Sequence, residues 1–134
     1  MGYIMHLRKK IGHEELLTAG TGVFPVRGGK VLLQRRADNG LWTMHGGAIE
    51  IGEVPEDAAK REFFEETGLR ANALELIGVF SGPDTRYTYP NGDKVFIVGI
   101  FYLCTDFSGE VNIDPNEVRE LKWFPLGSLP AVEE

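Results

Sequence analysis

The stretch Gly47 to Leu69, GAIEIGEVPEDAAKREFFEETGL, restricts this 134-residue chain more than any other. It opens on glycine, passes a proline suited to the first position of a helix (Pro55), and halts at Gly68, suited to the left-handed residue that follows a helix. A helix is therefore predicted from Pro55 to the Gly68 stop. At about 100° per residue, Ala59 and Phe63 mark its packing face, and Glu62 and Glu66 fall on or beside the same stripe. A carboxylate buried without a partner costs several kcal/mol, so acids along a packing edge are usually paired or bound to a metal. Glu62, Glu65 and Glu66 stand at i, i+3 and i+4, within one turn, where like charges repel. Divalent cations turn that repulsion into coordination.

Oxygen ligands with no accompanying Cys or His pattern select Mg2+ or Mn2+ over zinc. Metals held by carboxylates mostly work on phosphates, neutralising their oxygens and activating water. The residues by themselves thus reach metal-assisted phosphate chemistry.

The same stretch resembles the Nudix box of the Nudix hydrolases. Gly47, Glu53, Arg61, Glu62, the apolar Phe63, Glu65, Glu66, Gly68 and the apolar Leu69 match its defined positions and their spacing. The resemblance implies an α/β fold, the Nudix α/β/α sandwich with a mixed β-sheet flanked by helices, over a single domain, residues 1–134. It also implies Mg2+- or Mn2+-dependent hydrolysis of a nucleoside diphosphate linked to another group, by attack of water on phosphorus. Position by position, Glu62, Glu65 and Glu66 match the metal-binding acids, and Gly46 the residue whose carbonyl often joins them. Arg61 matches the box arginine, spaced i, i+4 from Glu65 so as to hold that carboxylate in place. Glu53 is expected to orient the loop. An acid before the last strand often serves as ligand or general base in the family; Glu117 is the first candidate here and Glu120 the second. Either Glu117 or a box glutamate takes the proton of the attacking water.

Two positions depart from the family pattern. His45 replaces the usual proline before Gly46-Gly47, and Val54 replaces the usual Ser or Thr before Pro55. Loss of a hydroxyl N-cap costs about 1 kcal/mol. His45 is read as a histidine whose tautomer is held by a backbone hydrogen bond, with a substrate contact the alternative.

For substrate, the family associates a proline shortly beyond the box with ADP-ribose hydrolysis and a tyrosine there with dinucleoside polyphosphates. Pro83 lies 14 residues after Leu69 and Tyr87 lies 18 after it, so the marker is split. A nucleotide sugar such as ADP-ribose is preferred; dinucleoside polyphosphate or nucleoside triphosphate pyrophosphohydrolysis is the alternative. A non-catalytic nucleotide sensor is the competing class, disfavoured by the intact box. Arg35 and Arg36 either contact a substrate phosphate or end a strand in solvent. Trp42 and Tyr87 are stacking candidates, as are Phe80 and Tyr89, with core packing the alternative for each.

Around the box, Tyr3 to Ile11 places Ile4, Leu7 and Ile11 on one face of a short helix stopped by Gly12, to pack on the domain or on a partner subunit, which leaves a homodimer open. Leu16 to Val26 and Lys30 to Arg36 read as a hairpin about Gly28-Gly29, and Leu41 to His45 as a strand. Beyond the box, Leu74 to Ser81 is a strand, and Arg86 to Tyr89 with Lys94 to Thr105 a second hairpin about Asn91-Gly92, its apolar run Val95 to Cys104 central in the sheet. Phe107 to Arg119 reads as a loop, Glu120 to Phe124 as the last strand, and Pro125 to Leu129 as a turn or helical start, with any C-terminal helix short or missing.

A net charge of −6 argues against stable nucleic-acid binding, which needs a basic face, so a small nucleotide must find local basic groups or metal. The single cysteine, Cys104, sits in an apolar run and reads as a buried thiol. No targeting segment or membrane span is visible, and a cytoplasmic location is expected.

Overall fold

In the computed structural model, which describes residues 2–130, the strand predicted to be central is the axis of the molecule. The apolar strand β7 (Lys94–Ser108) runs parallel to β1 (Leu16–Arg27) over ten registered pairs, from Leu16 opposite Val95 to Pro25 opposite Cys104. On its other side β7 is antiparallel to β5 (Arg70–Phe80) and to the short β6 (Arg86–Thr88). One parallel pair among antiparallel ones makes the sheet mixed, as expected.

The predicted first hairpin forms only at its turn. Val26 pairs with Val31 and Arg27 with Lys30, after which β1 and β2 (Lys30–Arg36) part. Strand β2 continues between β3 (Trp42–Thr43) and β8 (Val118–Pro125), while β1 takes β4 (His45–Ala48) as its antiparallel neighbour. This divergence divides the expected strand Leu41 to His45 into two pieces, because the chain changes partner between Thr43 and His45.

Other boundaries move for the same reason, ladder pairing outside the local sequence. Strand β5 begins at Arg70 instead of Leu74, and β7 continues to Ser108, since Arg70 pairs with Ser108 and Ala71 with Phe107. The expected loop from Phe107 shrinks accordingly, and β8 starts at Val118, opposite Arg36. The chain from Pro125 makes a turn closed by the Ser128 amide on the Pro125 carbonyl; any helix beyond it falls outside the described residues.

Helix α2 (Pro55–Thr67) lies against β4, β1 and β5. Its Ala59 and Phe63 enter the main core with Val23, Leu32, Leu69, Tyr102, Cys104 and Phe107; the Phe63 and Phe107 rings meet edge-on at 6.2 Å. Val54 gives no side-chain cap, yet the helix starts with Pro55 in its first turn, and Glu56 and Asp57 there suit the helix dipole. Gly68 ends it at φ 81°, its amide donating to the Phe64 carbonyl. A Cβ on Gly68 would also lie 2.7 Å from the Asn112 amide nitrogen.

Helix α1 (Tyr3–Ile11) forms as predicted but is held by polar contacts more than by its apolar stripe. Its one buried residue is Arg8, whose guanidinium donates to the carbonyls of Gly12, Glu14 and Lys94. Ile4, Leu7 and Ile11 are only half-buried. No helix among the described residues is long and apolar enough to cross a membrane.

Candidate active site

A cleft of about 1280 Å³ opens beside α2, between the Gly46-Gly47 segment of β4 on one wall and the Pro83–Thr85 turn with Tyr87 on another. The glycine pair exists because side chains do not fit there. A Cβ on Gly46 would stand 1.9 Å from the Thr21 carbonyl oxygen, and one on Gly47 2.7 Å from the Glu62 carboxyl carbon. Strand β4 therefore packs directly on β1 and passes directly beneath the helix carboxylates. Glu62, Glu65 and Glu66 all line the cleft, as do Gly46 and Glu117.

Glu66 is the most enclosed of the acids. Its Oε1 accepts from the Gln34 amide at 2.5 Å and from the Gly46 backbone N–H at 3.1 Å, and that N–H also lies 3.3 Å from Oε2. Burial pushes the Glu66 carboxyl up to about 8, against the opposing pull of these donors, and the Glu62 charge adds to the rise. Glu62 is also raised, first by burial, while Arg61 works to lower it. The two carboxyl groups interact directly across the helix turn.

Arg61 organises the remainder. Its Nε donates to Glu53 Oε2 at 2.8 Å and its Nη2 to Glu53 Oε1 at 3.0 Å, while Nη1 reaches Glu62 at 2.9 Å and Glu65 at 3.4 Å. Nη2 also donates to the Ala48 carbonyl. The hydrogen-bonded guanidinium holds the Glu53 carboxyl down to about 2. Glu53 in turn accepts from the Glu50 amide, closing the loop that precedes α2.

Among the described residues no three His, Cys, Asp or Glu side chains converge on one point. Glu65 turns toward Arg61, and its side chain is 55% exposed. What fits a cation is the Glu62–Glu66 pair: two carboxyl groups drawn together out of water, only one of them touching a countercharge, beside the backbone of Gly46. Hard oxygen donors of this kind suit Mg2+ or Mn2+.

The substrate candidates separate. Arg36 and Tyr87 line the cleft, where Arg36 pairs with Asp38 at 2.6 Å and its guanidinium lies 5.6 Å from the Tyr87 ring. The Tyr87 hydroxyl accepts from the Asn39 amide at 3.2 Å. Arg35 and Trp42, neighbours in the β2–β3 ladder, are not brought to the cleft. Arg35 donates to the Gly40 carbonyl and faces Glu120, and Trp42 meets the Phe124 ring edge-on at 4.9 Å. Phe80 stacks on Phe101 without itself lining the cleft, and Tyr89 lines it. Glu117 lies on the rim, where its carbonyl accepts from the Ala37 amide.

Sequence reasoning gave no role to Gln34, Met44, Phe24 or Phe101, which also line or floor the cleft. For Gln34 a signal was available: an amide following the apolar run Val31-Leu32-Leu33 is out of place in a core strand unless it is paired.

The chain is similar to known proteins in sequence and in fold. The family model described as NUDIX domain matches residues 16–134. A MutT-like protein of Streptomyces ambofaciens is 48% identical over 103 residues, covering 77% of this chain and 60% of its own length. An ADP-ribose pyrophosphatase of Methanocaldococcus jannaschii is 35% identical over 104 residues, covering 75% of this chain and 57% of its own. The chain thus spans less than two thirds of either relative. Among solved structures, a MutT NUDIX hydrolase from Burkholderia pseudomallei superposes with a TM-score of 0.73 at 32% identity, covering 86% of this chain and 88% of that one.

Proposed function

The chain belongs to the Nudix family, and we propose that it hydrolyses the pyrophosphate bond of a nucleoside diphosphate linked to another group, with ADP-ribose or another nucleotide sugar as the preferred class. The observation that carries this reading is the Glu62–Glu66 carboxyl pair, withdrawn from water at the wall of a cleft large enough for a nucleotide. Glu62, Glu66 and the Gly46 carbonyl would hold Mg2+ or Mn2+, with Glu65 joining from its place beside Arg61. A cation so held neutralises pyrophosphate oxygens and activates water.

The protein's own residues do the rest. Arg61 fixes the Glu62 carboxylate from one side and the pre-helix loop from the other, so the acids are oriented before substrate arrives. Glu117 on the rim, or a box glutamate, takes the proton of the attacking water. Arg36 and Tyr87 receive the nucleotide, the guanidinium facing phosphate and the ring offering a stacking surface.

Support for the substrate class comes from the Methanocaldococcus relative's name and from Pro83, which heads the turn on the cleft wall. Tyr87 on the same wall favours the second reading, a dinucleoside polyphosphate or nucleoside triphosphate. Incubation with ADP-ribose, other sugar nucleotides, dinucleoside polyphosphates and oxidised nucleoside triphosphates, with Mg2+ or Mn2+, decides between them by product identity. Tight binding without turnover of any would identify a sensor instead. For the homodimer left open by the sequence, edge strand β5 offers exposed Leu76, Ile77, Val79 and Phe80; a sedimentation coefficient fixed at the monomer value would dismiss it.

A further inference from the structure

We propose that Gln34, oriented by a neutral His45, is a positioning residue that fixes which oxygen of Glu66 is presented to the cleft; this rests on the metal-site reading above. His45 is fully buried and Gln34 is 4% exposed, so each polar atom on them must find a partner inside the protein. The His45 Nε2–H donates to the Leu32 carbonyl at 2.8 Å. A backbone carbonyl can only accept, so Nε2 carries a proton; a fully buried ring with no carboxylate bonded to it holds that proton alone, which leaves Nδ1 as an acceptor. The Gln34 Nε2 lies 3.0 Å from that Nδ1 and donates to it. Its second hydrogen goes to Glu66 Oε1 at 2.5 Å.

The direction of the bonds in this chain follows from the Leu32 carbonyl together with the full burial of His45. A Gln34 amide turned the other way would place its oxygen against the His45 Nδ1 lone pair, an acceptor contact in a buried site. His45 therefore locks the amide, and the amide locks Glu66. With Gln34 and the Gly46 N–H both on Oε1, that oxygen has two N–H donors, and Oε2 has only the longer 3.3 Å contact to the second of them. Oε2, the oxygen with the weaker N–H contact, is the one the chain of bonds presents to a ligand. Because Gly46 follows His45 directly in β4, the imidazole also anchors the strand that supplies the second donor.

Groups behind a ligating carboxylate tune metal affinity about 10–100-fold. The test is Mn2+ binding in the absence of substrate, read as loss of the free-ion electron paramagnetic resonance signal, for wild type, Glu66→Gln, Gln34→Met and His45→Phe, with melting curves alongside. Expected are a tenfold or larger rise in Mn2+ Kd for Gln34→Met and for His45→Phe in folded protein, and a double variant no weaker than the worse single one, since the two act in series. Wild-type affinity in Gln34→Met and His45→Phe while Glu66→Gln binds weakly would overturn the positioning role alone. Wild-type affinity in Glu66→Gln would overturn the metal reading and this inference with it. Should the substitutions prevent folding, nitrogen-15 spectra of the unaltered protein decide: an unprotonated Nδ1 and a protonated Nε2 on His45 are expected, and the reverse tautomer would refute the chain of bonds.

Discussion

Arg61 and Glu53, eight residues apart, meet side-on through two hydrogen bonds of 2.8 and 3.0 Å, joining the middle of α2 to the loop that leads into it. The same guanidinium spends its third nitrogen on Glu62 and Glu65. One side chain thus sets the spacing between the loop backbone and the acids, and a lysine, with a single point charge, cannot reproduce that fork. Arg61→Lys is expected to keep the fold and to lower kcat by about tenfold or more. Steady-state kinetics at saturating Mg2+ checks this; wild-type kcat would show the fork to be dispensable.

The Glu53 carboxyl falls from 4.5 to about 2 in the folded protein, chiefly through its hydrogen bonds to Arg61. A lowered carboxylate pKa means that the unfolded chain binds the extra proton first as pH drops. The stabilisation is therefore complete above about pH 4.5 and lost as pH falls toward 2. Glu53→Gln should flatten the acid side of the stability curve in that window, measured by urea unfolding at stepped pH. Parallel curves for the two proteins would dismiss the linkage.

Burial disfavours a charge on Glu66, so Glu66→Gln, which carries none at any pH, should melt at or above the wild-type temperature while losing about a hundredfold or more in turnover. Calorimetry and product assays on the same preparation measure both. Full activity in this variant would remove Glu66 from the site.

Divalent metal should raise the melting temperature of wild type, because binding to the folded state alone stabilises it by about 2.7 kcal/mol at a hundred times Kd. Titration with Mg2+ or Mn2+ checks the effect, and Glu62→Gln with Glu66→Gln should abolish it.

The two glycines predict different failures. Gly46→Ala drives a Cβ into the Thr21 backbone, which cannot move without breaking the β1–β4 ladder, so a stability loss of about 3 kcal/mol or more is expected. Gly47→Ala meets a side chain, the Glu62 carboxylate, and should spare the fold while displacing the acid and lowering kcat. Equal melting temperatures for Gly46→Ala and wild type would contradict the packing.

Much of this site was legible because its residues lie close in sequence. Helical spacing alone puts Glu62, Glu65 and Glu66 within a turn, and the proline and glycine at either end fix where that helix starts and stops. The backbone bond of His45 was legible too, since an imidazole in the core has few partners other than backbone, whereas its bond to Gln34 was not. Arg35 and Arg36 were not separable by composition: adjacent strand residues point to opposite faces, and only the sheet's placement decides which face holds the cleft. Trp42 follows the same rule, directed to Phe124 by its pairing in β3.

The sequence by itself determined the acid helix and its ends, because those depend on contacts within one turn of chain. Tertiary structure decided everything that joins distant segments. It drew β1 away from β2 to lie parallel to β7, placed Glu117 and Tyr87 on the rim of the same cleft, and brought Gln34 of β2 within 2.5 Å of Glu66, 32 residues away. No local pattern encodes that approach; it follows from burial, which leaves a polar side chain in the core no partner except the one the fold delivers.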